Sequence, residues 1–450
     1  MTSPPLDNHF FRHEYGKLVA VLSCQFGVGA MADIEDAVQA ALMSGLERWT
    51  RTKTHDRDPC ENTSPERDRS EADRMQETHD RSAWLYRVAR NRLIEGLRKE
   101  SRRRRLVATH VAPIAVAEST DSPLDPSSFG DSLLKMLFVA CDEAIPLESQ
   151  LVLSLKVLCG FDVREIALRL FTSEANVYKR LARARARLCE LTSPEDLVDD
   201  FCPEKCATRL PRVLRVLYLI FTEGHLSSQA DSAIRSELCE EAIRLGKMLV
   251  EHPVGRTPET YALLALMLLH AARTPSRTNG SGGLLLLEEQ DRQSWDQNLI
   301  EAGLVWLGKS AAGEHFSRYH AEAGIAAEHC LADSFDATRW DRVAECYELL
   351  EQIVESPIHR LNRAVAVGYW QGAEAGLALL EDFEPPVWLS QSYLWSAVVS
   401  DLSRQSGDMQ NAIQHRERAL AGAPSNAVRD LLTRRLTPDG TTDPGCRSSV

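Results

Sequence analysis

The sequence of 450 residues lacks the segments that would place a protein in a membrane or export it. It has no run of about 18 or more apolar residues, so we predict no transmembrane helix. The N-terminus, MTSPPLDNHFFRHEYGK, does not combine a basic segment with a following apolar one, and we do not expect a secretory signal. These absences predict a cytoplasmic protein that has no membrane partner.

Recognisable catalytic patterns are missing as well. We find no nucleophile elbow, no phosphate-binding glycine loop and no paired-histidine metal motif. The 11 cysteines are scattered, and only Cys202 and Cys206 lie close together. Because a zinc site would need a second such pair, ordinary thiols are favoured over a metal or redox role. We therefore predict a protein that is not an enzyme and binds neither metal nor cofactor.

The charge is negative overall but unevenly distributed. A formal net charge of -13 argues against a protein that coats nucleic acid along its whole surface. Two stretches are strongly basic, SRRRRL at 101–106 and the arginine series at 180–187. This asymmetry indicates a local DNA footprint on a larger acidic protein.

Residues 161–188, FDVREIALRLFTSEANVYKRLARARARL, predict two helices joined by a tight turn. Apolar residues at helical spacing give the first helix one buried face: Val163, Ile166, Ala167 and Leu170. Thr172 or Ser173 is suited to cap the second helix, in which Val177 and Leu181 face inward. This pattern is typical of a helix-turn-helix that enters the major groove of DNA. An ordinary helical hairpin with a solvated basic face is the alternative.

Two further helices are predicted nearer the N-terminus. Residues 32–49 begin with acidic side chains, which suits a helix start, and continue with regularly spaced apolar residues. Residues 82–105 combine a packed apolar face with many arginines, and Trp84 and Tyr86 could stack on unpaired bases if exposed.

Polar segments separate these elements. Residues 50–81 are charged and contain almost no large apolar side chain, so we predict a flexible insertion. Residues 107–130 lack a clear period and are predicted to be a linker. Residues 131–158 predict helix again, interrupted at Pro146.

Three of these segments, in this order, resemble bacterial sigma factors of the extracytoplasmic-function (ECF) group of the sigma-70 family. EDAVQAALMSGLERW resembles the helix that docks on the RNA polymerase clamp, and AWLYRVARNRLIEGLRKESRR resembles the helix that reads the promoter -10 element. LESQLVLSLKVLCGFDVREIALRLFTSEANVYKRLARARARL resembles the domain that reads the -35 element. The resemblance covers about residues 10–190 and implies core RNA polymerase and promoter DNA as partners.

The resemblance also implies roles for individual residues. It assigns -35 contacts to Thr172, Ser173, Glu174, Asn176, Val177, Lys179, Arg180 and Arg183. It assigns -10 contacts to Trp84, Arg87, Val88, Asn91, Arg92 and Arg98. It assigns polymerase docking to Asp33, Glu35, Asp36, Gln39 and Leu42. The side chains suit base recognition, since glutamate can accept a hydrogen bond from the amino group of cytosine and asparagine can form two hydrogen bonds with adenine.

The C-terminal part, 195–435, is also predicted to be mostly helical. Residues 213–225 and 259–273 are apolar enough for buried helices, and a loop at 274–284 precedes a further helical segment from residue 284 onward. That segment carries a polar cluster of Glu288, Gln290, Asp291, Arg292 and Trp295. A capping and packing network is favoured there over an active site.

A repeat is visible near the end of the chain. Residues 361–381 and 396–420 each predict two helices joined at a glycine, Gly372 and Gly407, which lie 35 residues apart. This spacing is close to the period of about 34 residues in tetratricopeptide repeats, which bind a peptide or protein partner. The part also resembles the extension of an ECF subgroup, through VLRVLYLIFTEGH, ALLALMLLHAAR, LLLLEEQDRQSWD and LNRAVAV. In that subgroup the extension is thought to regulate the sigma factor in cis.

We therefore predict an all-α protein: a region-2-like domain at 10–106, the linker at 107–130, a region-4-like domain at 131–192, and a tetratricopeptide-like extension at 195–435. The predicted function is promoter-specific initiation of transcription. The alternative is a conventional helix-turn-helix regulator with a helical sensor domain, against which the -10-like helix argues.

Overall fold

A computed structural model describes residues 8–55, 71–107, 126–170, 172–191, 203–226, 233–277, 279 and 285–437. Within these ranges the chain forms 19 α-helices and no strand, which confirms the all-α class. Two compact units are present, Met1–Leu219 and Ile220–Val450. Most of the predicted linker, the centre of the predicted insertion, and Cys202 lie outside the described residues.

Three helices make up the N-terminal part of the first unit: α1 (Asn8–Phe26), α2 (Met31–His55) and α3 (Glu71–Val107). Their apolar faces meet in a common core, in which Leu18, Leu22, Ile34, Val38, Leu85 and Leu93 are almost completely buried. The periodicity of these residues explains the three-helix packing, because each helix has one apolar face to cover.

The flanks of the predicted flexible insertion are helical, so the prediction for 50–81 is wrong at both ends. Helix α2 continues to His55, and α3 begins at Glu71. Extending a helix from an already packed segment needs no new nucleation, and glutamate, arginine and glutamine have good helix propensity. Low apolar content therefore did not prevent helix formation here.

The rest of the first unit contains α4 (Pro126–Ala140), α5 (Leu147–Val157), α6 (Val163–Arg169), α7 (Glu174–Leu191) and the first part of α8 (Pro203–Leu226). The predicted break at Pro146 is present, since this residue precedes the first turn of α5. The side chain of Gln150 donates to the carbonyls of Asp142 and Ile145 at 2.7 and 2.9 Å. These bonds satisfy groups that the break leaves unpaired.

Helix α1 connects the two halves of the first unit. It packs against α4, and a Cβ atom placed on Gly16 would lie 2.4 Å from the carbonyl oxygen of Leu158. Arg12 bonds the carboxylate of Glu165 at 2.7 Å and lies over the ring of Phe161 at 4.7 Å. The predicted region-2-like part and the predicted region-4-like part are therefore in direct contact.

The second unit is built from helices that pack mainly on their neighbours in sequence. They are the end of α8, α9 (Ala233–Glu251), α10 (Pro258–Ala272), α11 (Gln297–Ser310), α12 (Arg318–Leu331), α13 (Trp340–Ile353), α14 (Pro357–Gln371), α15 (Ala373–Glu381), α16 (Val387–Ser390), α17 (Tyr393–Ser406), α18 (Met409–Ala421) and α19 (Asn426–Leu436). Every residue of α10 from Ala262 to Leu269 is buried, which confirms the buried helix predicted at 259–273.

The helix predicted to resume at residue 284 begins only at Gln297. Residues 285–296 contain two short 3₁₀ turns, Leu287–Glu289 and Arg292–Ser294. The Asp291 side chain accepts from the backbone N–H of Gln293, and Asp296 accepts from that of Leu299. Aspartate side chains compete for backbone donors and so favour turns and helix starts over helix interiors.

The two predicted glycine-linked hairpins are present. Helices α14 and α15 meet at Gly372 (φ 102°), and α17 and α18 meet at Gly407 (φ 90°). Both glycines adopt a backbone conformation that other residues reach only with strain. In the last helix, Arg435 donates to Asp401 at 2.9 Å and to the hydroxyl of Tyr369 at 3.0 Å.

Candidate nucleic-acid interface

The helix-turn-helix is formed by α6 and α7 and is closed by side-chain caps. Asp162 accepts from the backbone N–H of Glu165 at 2.6 Å, and the carboxylate of Glu165 accepts in return from the N–H of Asp162 at 2.8 Å. Of the two predicted caps for α7, Ser173 is the one used, because its hydroxyl accepts from the N–H of Asn176 at 3.3 Å. The capping box at Asp162 was missed, although its spacing of an acidic cap and a glutamate three residues later is a sequence signal.

One face of α7 is buried against the rest of the domain. Val177, Leu181, Ala184 and Leu188 are at most 3% exposed. Val177 was also predicted to contact bases, and this prediction is wrong, since its side chain is completely buried. Its spacing of four residues from Leu181 already placed it on the inner face.

The opposite face of α7 is exposed and carries most of the predicted -35 contacts. Ser173, Glu174, Asn176, Lys179 and Arg183 are exposed, and Thr172 is half-buried. These residues cover the N-terminal turns of the second helix, the part of a helix-turn-helix that reaches base edges. Arg180 is held differently, because it pairs with Glu148 at 2.6 Å.

Tyr178 was missed as a candidate contact. Its side chain is 60% exposed and lies among the predicted contacts of α7. An aromatic residue next to the inward-facing Val177 and within the basic stretch is a signal that could have identified it. Its ring can make apolar contact with a thymine methyl group, and its hydroxyl can bond phosphate.

Helix α3 exposes a polar face that includes Arg87, Asn91 and Arg98. These residues lie on one side of the helix by their spacing. Arg92 is also exposed and donates to the hydroxyl of Ser44 at 2.9 Å, while Val88 is half-buried.

The two aromatic residues of α3 are packing residues. Tyr86 is 9% exposed and donates to the side chain of Gln25 at 2.9 Å. Trp84 is half-buried, with its ring 5.9 Å from that of Trp49. Base stacking by Tyr86 was considered on the condition that its ring is exposed, and this condition is not met, because Tyr86 is buried.

Helix α2 presents part of the predicted docking set. Asp33, Asp36 and Gln39 are exposed, and Leu42 is half-buried. Two large apolar side chains on the same helix, Met43 and Leu46, are 65% and 44% exposed. They were missed, although their positions one and two turns after Gln39 give a clear helical spacing.

Glu35 is not available for docking in this structure, so its assignment is wrong for the state described. Its side chain is 8% exposed and bonds the guanidinium of Arg185 on α7 at 2.5 Å. Burial, followed by the charge of Glu35, raises the pKa of the neighbouring Tyr15 above its ordinary value. The pair joins the predicted docking helix to the helix-turn-helix.

Cys206 is buried, and no group of three or more histidine, cysteine or acidic side chains in the described ranges is arranged to hold a metal ion. Among the helices that the structure describes, none is both long and apolar enough to cross a membrane.

Comparison with known proteins agrees with the helix-turn-helix. Residues 137–188, from the end of α4 to α7, match the family described as Sigma-70, region 4. The fold of this segment and the match together identify residues 137–188 as a sigma-70 region 4 domain, which supports a role in DNA binding during transcription initiation. Residues 209–311 match a family of unknown function, DUF6596. No solved structure matches the chain.

The chain is also similar to the uncharacterized protein R00370 of Rhizobium meliloti (strain 1021). The two are 32% identical over 397 residues, which cover 86% of this chain and 85% of that protein. The chain belongs to the same family as this protein.

Proposed function

We propose that this protein is a sigma factor of the ECF group that binds core RNA polymerase and directs promoter-specific initiation. The observation that carries the proposal is the region 4 helix-turn-helix, whose second helix exposes a polar and basic face from Ser173 to Arg183. In this proposal, α7 reads the -35 element and the exposed face of α3 reads the -10 element.

Core polymerase docks on α2 in this proposal. The exposed residues Asp36, Gln39, Met43 and Leu46 replace Glu35 as the centre of the docking surface. Apolar side chains next to polar ones are typical of protein interfaces, and exposed methionine in particular is enriched there.

Run-off transcription with bacterial core polymerase tests the proposal. The template is the promoter region upstream of the protein's own gene neighbourhood, and the protein is the full chain. We expect a specific transcript that depends on both components. Tight DNA binding without core binding or initiation would contradict the proposal and indicate a conventional helix-turn-helix regulator.

A pair of arginine variants on α7 tests the DNA-reading face. Arg183→Ala removes an exposed cation among the predicted contacts, whereas Arg187→Ala removes one that pairs with Glu190 one turn further on. Loss of one phosphate contact should lower the slope of log K against log salt by about one unit in Arg183→Ala. Equal effects of the two variants would contradict the proposed orientation of α7.

We further propose that the second unit regulates the sigma domains, with a protein or peptide partner on its helical hairpins. It exposes Trp370, Val387 and Trp388 to 52, 70 and 59%, and large exposed apolar side chains are common in binding surfaces.

A chain that ends at Leu226 tests this regulation. The truncation keeps Arg209, which pairs with Asp142 at 2.5 Å in the first unit. We expect the transcript yield per bound polymerase to differ from that of the full chain. Equal yields, with helical content verified by circular dichroism, would contradict a regulatory role.

A further inference from the structure

A cluster of basic side chains lies within the second unit. His225 comes from the end of α8, and His270 and Arg273 come from the end of α10. The rings of the two histidines are 4.5 Å apart, and Arg277 places one terminal nitrogen 3.1 Å from Nδ1 of His225 and donates to its backbone carbonyl. The first half of the cluster therefore gathers two arginines and two histidines from separate parts of the chain.

Trp295 brings a third arginine into the cluster. Its ring lies 5.2 Å from the guanidinium of Arg273 and 4.7 Å from that of Arg292. Arg292 is fixed in place because it donates to the carbonyls of His329 and Ala332. The indole N–H of Trp295 donates to Ser276 at 2.6 Å, so the ring itself is also held.

Among the described residues, no carboxylate pairs with these three arginines. In the part of the chain that the structure describes, neither Arg273 nor Arg277 nor Arg292 has a carboxylate oxygen within 4 Å, and Asp333 acts on Arg292 only from a longer distance. Many described arginines elsewhere in the second unit are paired with carboxylates. Nine in the second unit form ion pairs: Arg244, Arg318, Arg339, Arg342, Arg360, Arg363, Arg404, Arg434 and Arg435.

The like charges affect each other. Burial, together with Arg277 and Arg292, lowers the pKa of Arg273 to about 10. Burial and the nearby arginines lower the pKa values of His270 and His329 to about 3, so both rings are neutral near pH 7. A buried group of like charges is unfavourable unless an opposite charge joins it.

The cluster also contains side-chain nitrogens that have no hydrogen-bond partner in the described part of the protein. Nε of Arg273, Nη2 of Arg292 and Nδ1 of His270 and His329 are inaccessible to solvent and form no hydrogen bond with a described residue. The Arg273 side chain makes no hydrogen bond to any described group, and it remains half-buried. Arg273 is therefore a guanidinium without a hydrogen-bond partner among the described residues, on a side chain that is not fully buried.

We propose that Arg273, Arg277 and Arg292 form a binding site for a small oxoanion, a phosphate or carboxylate group of a soluble ligand. The guanidinium group binds either anion through paired N–H donors, and a neutral histidine can add one more donor. Such a ligand would supply the negative charge that the protein does not. The site is independent of the sigma-factor proposal, because it concerns only groups within the second unit.

Isothermal titration of the full chain with inorganic phosphate, and separately with citrate, tests the site and distinguishes the two chemistries. Ionic strength is matched with sodium chloride, since general salt effects also stabilise proteins. We expect saturable binding of at least one anion. Absence of saturable binding with both anions would overturn the proposal.

Arg273→Gln is the diagnostic variant, and Arg342→Gln is its control, because Arg342 is 57% exposed and pairs with Glu345 on one helix face. We expect affinity to fall about tenfold or more in Arg273→Gln, as befits a lost charged hydrogen bond, and to be unchanged in the control. Unchanged affinity in Arg273→Gln would overturn the proposal.

The melting temperature without added anion separates ligand binding from a structural role. Since Arg273 lacks hydrogen bonds and is repelled by its neighbours, Arg273→Gln should melt no lower than the unaltered chain. A lower melting temperature with unchanged anion binding would show that Arg273 merely supports Trp295. Arg273→Lys, which keeps the charge but not the paired donors, provides a second variant and should bind with intermediate affinity.

Discussion

Removing Arg185 should destabilise the first unit much more than removing Arg187 from the same helix. In Arg185→Ala the carboxylate of Glu35, only 8% exposed, loses its partner. An uncompensated charge in a fully buried pair costs about 3–5 kcal/mol. Because the Arg185 side chain is itself 29% exposed, water can partly replace it, and we expect a loss of about 2 kcal/mol.

This free energy corresponds to a measurable shift. For a unit of about 200 residues, 1 kcal/mol lowers the melting temperature by about 2–4 °C, so Arg185→Ala should lower it by about 4–8 °C. Arg187 and Glu190 are 49 and 59% exposed and lie one turn apart, so Arg187→Ala should cost no more than about 0.5 kcal/mol. Differential scanning calorimetry of the full chain measures both transitions.

A double variant completes the test. Adding Glu35→Gln to Arg185→Ala removes the unpaired charge, and most of the lost stability should return, with a coupling energy of about 0.5–3 kcal/mol. Equal shifts in Arg185→Ala and Arg187→Ala, or no recovery in the double variant, would refute the argument that Glu35 is buried against α7.

Three other outcomes are expected. Gly16→Ala should lower the melting temperature of the first unit, because the Cβ atom of the new alanine would lie 2.4 Å from the carbonyl oxygen of Leu158. An unchanged melting temperature would contradict this close approach. Lys179→Ala should weaken DNA binding evenly across sequences, and filter binding to several promoter variants measures this. A changed base preference at one position would instead identify Lys179 as a residue that contacts a base. His270 and His329 have folded-state pKa values of about 3, below the value of about 6.5 in an unfolded chain. The second unit should therefore lose stability as the pH falls from about 6.5 towards 3. Thermal melts at pH 7, 5 and 4 that coincide would contradict the burial of these two histidines.

The sequence predicted correctly those elements that depend on the spacing of neighbouring residues. The apolar spacing from Val163 to Leu170, the cap at Ser173 and the glycines at 372 and 407 each depend on a few neighbouring residues, and the structure contains the elements that they predict. The exposed positions of α7 follow from the same periodicity. Their contacts with bases and phosphates stay predictions.

The wrong predictions concern residues whose burial or conformation depends on contacts with other parts of the chain or on local side-chain bonds to the backbone. The partner of Glu35 lies 150 residues away, so nothing near it in the sequence indicates that it is buried. Stacking by Tyr86 depended on exposure of its ring, a condition that is not met, because Gln25 and the core of α1 and α2 cover it. In 285–296 the apolar leucines predicted a helix, whereas the side chains of Asp291 and Asp296 bonded the local backbone instead.

Arg435 ties α19, the last helix that the structure describes, to two earlier helices of the second unit. In a row of stacked helical hairpins the terminal one ordinarily opens first, since it has a neighbour on one side only. Here a single guanidinium bonds Asp401 on α17 and Tyr369 on α14, so α19 cannot detach without releasing contacts to both. Backbone amides of α14, α17 and α19 should therefore exchange with solvent deuterium in one concerted opening, and residues 357–436 should behave as one cooperative unit rather than fray from the end.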